Sequence, residues 1–171
     1  MKIILSTTAL ICVFVLTSMA QDSKKEAKNQ EREKQYKQIQ DLVNSETYEF
    51  TGRKANPQKG RQVDLTTRPN FMRINTGNAS ADMPYFGRAF SAGYGSGGGV
   101  VFDGPMENYD IQKDDKKRRI LIKFKVKGSD DTYTCTLTIS SMKSASLSVS
   151  SNKRTVINYT GVMAAPPLKE E

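Results

Sequence analysis

Apolar and polar side chains alternate along most of the second half of the chain, and this pattern restricts the possible folds more than any other feature. The apolar positions are Ile120, Ile122, Phe124 and Val126; Tyr133, Cys135, Leu137 and Ile139; Ala145, Leu147 and Val149; and Ile157 and Tyr159. A period of two places them on one face of a β-strand. Short turn sequences separate these segments, which favours antiparallel pairing. A shift of one residue would expose a whole apolar set, so we expect a firmly fixed register.

Shorter segments earlier in the chain show the same alternation. Residues 47–51 place Tyr48 and Phe50 on one face, and Asn56-Pro57 is a turn signal. Further short strands are expected at residues 63–65, 70–75, 79–83 and 100–102, and around Tyr109 and Ile111. The sequence therefore predicts a mainly β, antiparallel domain over residues 46–162, built as a curved sheet or as a small barrel or sandwich. Residues 163–171 are expected to form a flexible tail.

A helix is predicted before this domain. Residues 21–38 are almost wholly polar, and apolar side chains appear only at Tyr36, Ile39, Leu42 and Val43, with helical spacing. We therefore expect residues 21–45 to form a polar tail and a helix over 26–44, with the last two turns packed on the domain.

Residues 1–20 have the layout of a secretory signal peptide. Lys2 precedes an apolar run over 3–16, and the small residues Ser18 and Ala20 favour cleavage before Gln21. The run is shorter than the roughly 20 residues of a membrane-spanning helix, and Cys12 comes too early for a lipoprotein signal. We expect an exported protein, periplasmic or secreted, with no transmembrane helix after cleavage.

The composition excludes several kinds of catalytic site. The chain has no histidine, so a Ser-His-Asp triad, a Cys-His pair and His-ligated zinc cannot form. After signal cleavage Cys135 is the single cysteine, interpreted as a buried small hydrophobe, with a reactive thiol or an intermolecular disulfide as the alternatives. No catalytic motif, metal site or cofactor is expected. Five carboxylates remain as candidates for acid–base hydrolysis, although several lie in expected turns: Asp103, Glu107, Asp110, Asp114 and Asp115.

Aromatic residues, an arginine and glycines are concentrated between Met83 and Gly99. The glycines formally match G-x-G-x-x-G, but an expected strand follows them rather than the helix that a phosphate site needs. Three interpretations of the glycine-rich stretch are left: a mobile loop, a place where the backbone passes closely over aromatic rings, or a lid over a binding site. The candidate ligand-binding residues are Tyr85, Phe86, Arg88 and Tyr94. The alternative interpretation is a plug that closes one end of the core, with Arg88 paired to an acidic residue.

A basic sheet face is a second candidate surface. The formal charge is +8, and strand geometry places Lys123, Lys125 and Lys127 on one face. Such a face could meet anionic lipid, acidic polysaccharide or a protein, and the alternative is an ordinary solvated surface. Nucleic acid is not expected, because exposed aromatic residues do not alternate with these lysines.

Several stretches resemble a known family. They are residues 84–92 (PYFGRAFSA), followed after the glycines by 100–104 (VVFDG); 48–50 (YEF) with Asn56-Pro57 and Gly60-Arg61; and 147–152 (LSVSSN) with 157–161 (INYTG). Over residues 43–161 the chain resembles exported bacterial proteins that carry domain of unknown function 4251. The resemblance implies export and a β-rich fold with a short preceding helix. It implies no reaction, ligand or catalytic residue.

Together these observations suggest a non-catalytic envelope protein that binds a partner or ligand. The ligand could be apolar, a sugar or an anionic envelope component, held by the aromatic and arginine segment. One alternative is a structural or interaction protein that uses the basic sheet face. The other is a carboxylate-dependent hydrolase of envelope sugars.

Overall fold

The structure is a computed structural model that describes residues 24–90, 98–129 and 131–167. In this part of the chain, one helix precedes nine β-strands. Helix α1 spans residues 24–44, so it begins two residues before the predicted start and ends where predicted. Its first part, residues 24–35, is polar, and the compact domain begins at Tyr36. The strands are β1 Thr47–Pro57, β2 Val63–Asp64, β3 Phe71–Asn75, β4 Asn78–Pro84, β5 Gly99–Asp114, β6 Arg119–Lys127, β7 Thr132–Ser141, β8 Ser144–Ser151 and β9 Ile157–Ala164.

The sheet closes on itself. Each strand from β3 to β9 pairs with its neighbour in the sequence, β1 pairs with β3, and β1 also pairs with β9 through Glu49↔Ala164 to Pro57↔Ile157. Eight antiparallel strands therefore form a closed barrel, and the short β2 adds to the far part of β1. The prediction of an antiparallel, mainly β domain after one helix is confirmed, and the barrel is the arrangement adopted.

Large side chains fill the barrel interior. Every apolar position of the alternating pattern in β6 to β9 is buried, Cys135 included, and the largest fully buried side chains are Tyr48, Tyr133, Tyr159, Phe50 and Phe124. An eight-stranded barrel is just wide enough for side chains to fill it. Small residues make room at the β1–β9 seam, where Gly52 lies opposite Gly161 and the Phe50 ring lies against Gly161.

The barrel has two different ends. At the first, here called the helix end, lie the start of β1 and the turns β3–β4, β5–β6 and β7–β8. Here the Tyr36 hydroxyl donates to the Asp115 carboxylate at 2.7 Å, and Lys113 donates to Asn44 at 3.1 Å. Ile39 is fully buried with the core. The second, here called the loop end, carries the connections after β1, β4, β6 and β8.

Strand β5 and strand β9 differ from the expectation. The segments expected around residue 101 and around Tyr109 are one strand of 16 residues, which pairs first with β4 and then with β6. An irregularity between Glu107 and Asp110, with Asn108 at φ 53°, bends the strand between the two partners. Strand β9 continues through the buried Met163 and so extends two residues into the expected tail. Among the described residues, no helix has the length and apolar character to cross a membrane.

Candidate functional site

A short ribbon holds the aromatic segment at the loop end. Ala89 and Arg154 form an antiparallel bridge, the Phe90 N–H donates to the Lys153 carbonyl at 2.7 Å, and the Thr155 N–H donates to the Arg88 carbonyl at 3.0 Å. Residues 88–90 and 153–155 are here called the loop-end ribbon. The backbone of the segment is therefore fixed by the connection between β8 and β9.

Tyr85 is used to build this end of the barrel. Its hydroxyl lies 3.0 Å from the Arg88 carbonyl and 2.9 Å from both the carbonyl and the hydroxyl oxygen of Thr155. The guanidinium of Arg154 lies over its ring, 5.3 Å from the centroid. A side chain at Gly87 would overlap the Tyr85 hydroxyl, so only glycine permits this close approach. These contacts favour the plug interpretation for Tyr85.

Phe86, Arg88 and Phe90 instead line an open groove of about 500 Å³. Its other lining residues are Gln58, Lys59, Gly60, Gly87 and Thr155, and the whole set is here called the loop-end groove. Phe86 is half-buried with Arg68 over its ring at 6.0 Å, and Arg88 is exposed. No ion pair between described residues includes Arg88, so the acidic partner of the plug interpretation is not among them.

The fourth candidate, Tyr94, lies outside the described residues, as do Gly93 and Gly95. Gly99 opens β5, and its carbonyl accepts a hydrogen bond from Arg154. A strand thus follows the glycine-rich segment, as expected, in the place where a phosphate site would have a helix.

Charge at the loop end is strongly one-sided. The described chain there carries the cations Lys59, Arg61, Arg68, Arg88, Lys153 and Arg154, and two carboxylates, Asp64 in the short β2 and Asp131. The Asp131 carboxylate accepts hydrogen bonds from the backbone N–H groups of Thr132 at 2.8 Å and Lys153 at 3.3 Å, and these two donors partly compensate its charge. A cleft in such a field raises the local concentration of anions.

Two of the three outward lysines of β6 have carboxylates directly across the sheet. The register places Lys123 opposite Asp110 and Lys125 opposite Glu107 on the outer face. Opposite charges at paired positions offset each other locally. This arrangement favours the solvated-surface interpretation of the basic sheet face.

The remaining candidates for chemistry have structural contacts. Asp114 accepts from the Lys117 N–H at 3.0 Å in the β5–β6 turn, and Asp115 accepts from Tyr36. Burial raises the pKa of the Cys135 thiol, which keeps it protonated and unreactive. Within the described ranges, no group of three or more His, Cys, Asp or Glu side chains could hold a metal ion.

Sequence reasoning did not select Phe90 and Lys59. The sequence places a phenylalanine at position 90 in the aromatic segment. Its 70% exposure depends on the loop-end ribbon, which the sequence does not indicate. Lys59 lies two residues after the turn signal Asn56-Pro57 and has no neighbouring feature in the sequence that indicates a site. Its place in the groove depends on where the chain leaves β1.

Comparison with known proteins gives a family and a fold. The family model described as a domain of unknown function (DUF4251) matches residues 30–163. A crystal structure of a DUF4251 family protein from Bacteroides eggerthii superposes with a TM-score of 0.59 at 18% sequence identity, covering 77% of this chain and 87% of that chain. It has the same fold. A comparison with curated proteins gave no match.

Proposed function

The chain belongs to the DUF4251 family, and from that premise we propose that it is an exported, non-catalytic binding protein whose loop-end groove takes an anionic ligand with an apolar part. The observation that carries the proposal is that the half-buried Phe86 ring, the exposed Phe90 ring and two cations line one groove, on a backbone that the loop-end ribbon fixes.

The groove lining matches this ligand chemistry. Arg88 presents a planar fork of donors that suits a carboxylate, phosphate or sulfonate, and Lys59 adds a second positive charge. Phe86 and Phe90 offer apolar surface but no hydrogen-bonding group. The volume of about 500 Å³ lies within the usual range of small-molecule sites.

An outside groove is favoured over a ligand inside the barrel. Tyr48, Phe50, Phe124, Tyr133 and Tyr159 are fully buried and occupy the interior. A ligand there would have to displace close-packed side chains. The groove can be entered without any such change.

Export is the second part of the proposal. It is supported by the sequence layout of residues 1–20, with Lys2, the apolar run over 3–16 and small residues before Gln21. Fractionation of the native host, with detection of a chain that begins at Gln21, tests it. A full-length chain recovered from the cytoplasm would contradict it.

The binding proposal is tested with 8-anilinonaphthalene-1-sulfonate, a probe that combines aromatic rings with a sulfonate. We expect saturable binding to the protein from Gln21 onward, followed by fluorescence. Arg88→Gln should weaken binding roughly fivefold, because it removes a charge-assisted contact. Phe86→Ala should weaken it by a similar factor, because it removes apolar contact area.

The control is Lys123→Gln, which makes the same change of charge on the outer face of β6, away from the groove. It should leave the affinity unchanged, and circular dichroism should show that all variants are folded. Equal affinities of Arg88→Gln and Lys123→Gln would refute the assignment of the groove.

A further inference from the structure

We propose that the loop end docks onto the surface of an anionic lipid bilayer, with the Phe90 side chain inserted among the lipids. This deepens the proposed function, on which it rests for the anion-binding groove, by naming lipid headgroups as the source of the anion and acyl chains as the source of the apolar part.

Both exposed large hydrophobic side chains among the described residues belong to the loop-end half of the barrel. Phe90 is 70% exposed and Val101, the third residue of β5, is 51% exposed. A hydrogen bond from the Phe90 N–H to Lys153 fixes the backbone that carries the ring. Phe90 lines one groove together with the half-buried Phe86, and two rings in one groove form an apolar contact surface.

Several cations lie at the same end of the barrel as Phe90. Lys59 and Arg88 line the same groove, Lys153 pairs with Phe90 through the ribbon, and Arg61 lies in the connection after β1. Each Lys or Arg near an anionic bilayer strengthens association about fivefold. The charged groups of lysine and arginine can stay at the headgroups while their aliphatic stems lie beside an apolar side chain that enters the bilayer. An apolar anchor inside a basic rim is the combination that binds such interfaces.

The helix end has a different surface. None of the described residues of its turns is an exposed large hydrophobic. These turns carry the cations Lys116, Lys117, Arg118 and Lys143 and the carboxylate Asp115, with Asp114 at the end of β5 beside them. Ion pairs join Asp114 to Lys117 and Arg119 at 3.7 Å. Both ends carry cations, so the exposed Phe90 ring, which has no counterpart in the described turns of the helix end, directs the loop end toward the bilayer.

The chain contains no tryptophan, so Phe90→Trp places the only indole at the proposed contact. We expect its emission to shift to shorter wavelength with vesicles of phosphatidylcholine mixed with phosphatidylglycerol, and to shift much less with phosphatidylcholine alone. The matched control is Met142→Trp, in the β7–β8 turn of the helix end. It should show no shift with either vesicle.

Vesicle co-sedimentation gives a second measurement with the unlabelled protein. Phe90→Ala should lower the partition coefficient about tenfold through the lost apolar area, and Arg88→Gln about fivefold. Lys123→Gln should leave it unchanged. Added salt should weaken binding, because screening shortens the range of the attraction.

The outcomes separate the two proposals. Binding of the sulfonate probe without binding of mixed vesicles would overturn membrane docking and leave the groove as a site for a soluble anion. Competition of soluble glycerol phosphate with vesicles at similar concentration would also overturn it. Loss of both activities would remove both proposals. Vesicle binding that Phe90→Ala and Met142→Ala weaken equally would contradict docking through the loop end.

Discussion

Gly161→Ala should strongly destabilise the protein, because the methyl group would occupy the place where β1 and β9 close the barrel. The new Cβ would overlap the Thr51 carbonyl oxygen and lie 2.8 Å from the ring of Phe50. The carbonyl belongs to the backbone of β1 and cannot move away without disturbing the β1–β9 pairing. Overpacking costs about 1–3 kcal/mol, and a backbone obstacle places this variant near the upper figure, about 3 kcal/mol.

A loss of this size is a large part of the roughly 5–15 kcal/mol that stabilises an ordinary domain. For a domain of this length it lowers the melting temperature by roughly 10 °C. Thermal unfolding followed by circular dichroism measures the change. The matched control is Gly98→Ala, where a Cβ would meet nothing within 4 Å, and its melting temperature should equal that of the parent or slightly exceed it. Similar melting temperatures of the two variants would refute the close β1–β9 seam.

Three further predictions concern other parts of the barrel. Asn70→Ala removes the amide that accepts from the Gly52 N–H at 2.8 Å and donates to its carbonyl at 3.0 Å, so urea denaturation should show a loss of about 2–3 kcal/mol; an unchanged midpoint would contradict that role. Tyr85→Phe removes the hydroxyl that contacts Thr155 and should speed amide exchange at Thr155 severalfold, whereas unaltered exchange would show that the ribbon does not need it. Burial raises the pKa of Cys135, so the folded state keeps a proton that the unfolded chain loses above about pH 8.5, and stability should decrease as pH rises past that point. Cys135→Ala should make this decrease shallower, and an identical slope would count against it.

Local pattern was sufficient where each strand pairs with its sequence neighbour. In β6, β7 and β8 the alternation determines which face is buried, and short turns determine the partner, so the positions of Phe124, Cys135 and Leu147 were predictable. Cys135 alternates in step with the apolar side chains of its strand, which predicted a buried thiol, and the structure buries it.

Long-range features were not predictable in this way. Closure depends on β1 meeting β9, and nothing in the local sequence around Gly52 or Gly161 indicates that pairing. The continuity of β5 was missed because the bend at Asn108 interrupts the alternation that identifies a strand.

The candidate site was only partly predictable for the same reason. The aromatic and arginine segment was located, but a sequence does not distinguish a ring that packs from a ring that is exposed. Tyr85 packs because the β8–β9 connection places Thr155 within hydrogen-bond distance of its hydroxyl. Phe90 is exposed because its backbone pairs with Lys153. Both facts depend on the connection between β8 and β9, where Thr155 lies 70 residues after Tyr85 in the chain.

Amide chemical-shift mapping during titration with phosphatidylglycerol-containing bicelles tests most directly whether the loop end is the binding surface. We predict that the perturbed amides cluster at residues 58–60, 86–90 and 153–155. A cluster in the β5–β6 turn at residues 114–119, or along β6 at residues 123–127, would contradict the account.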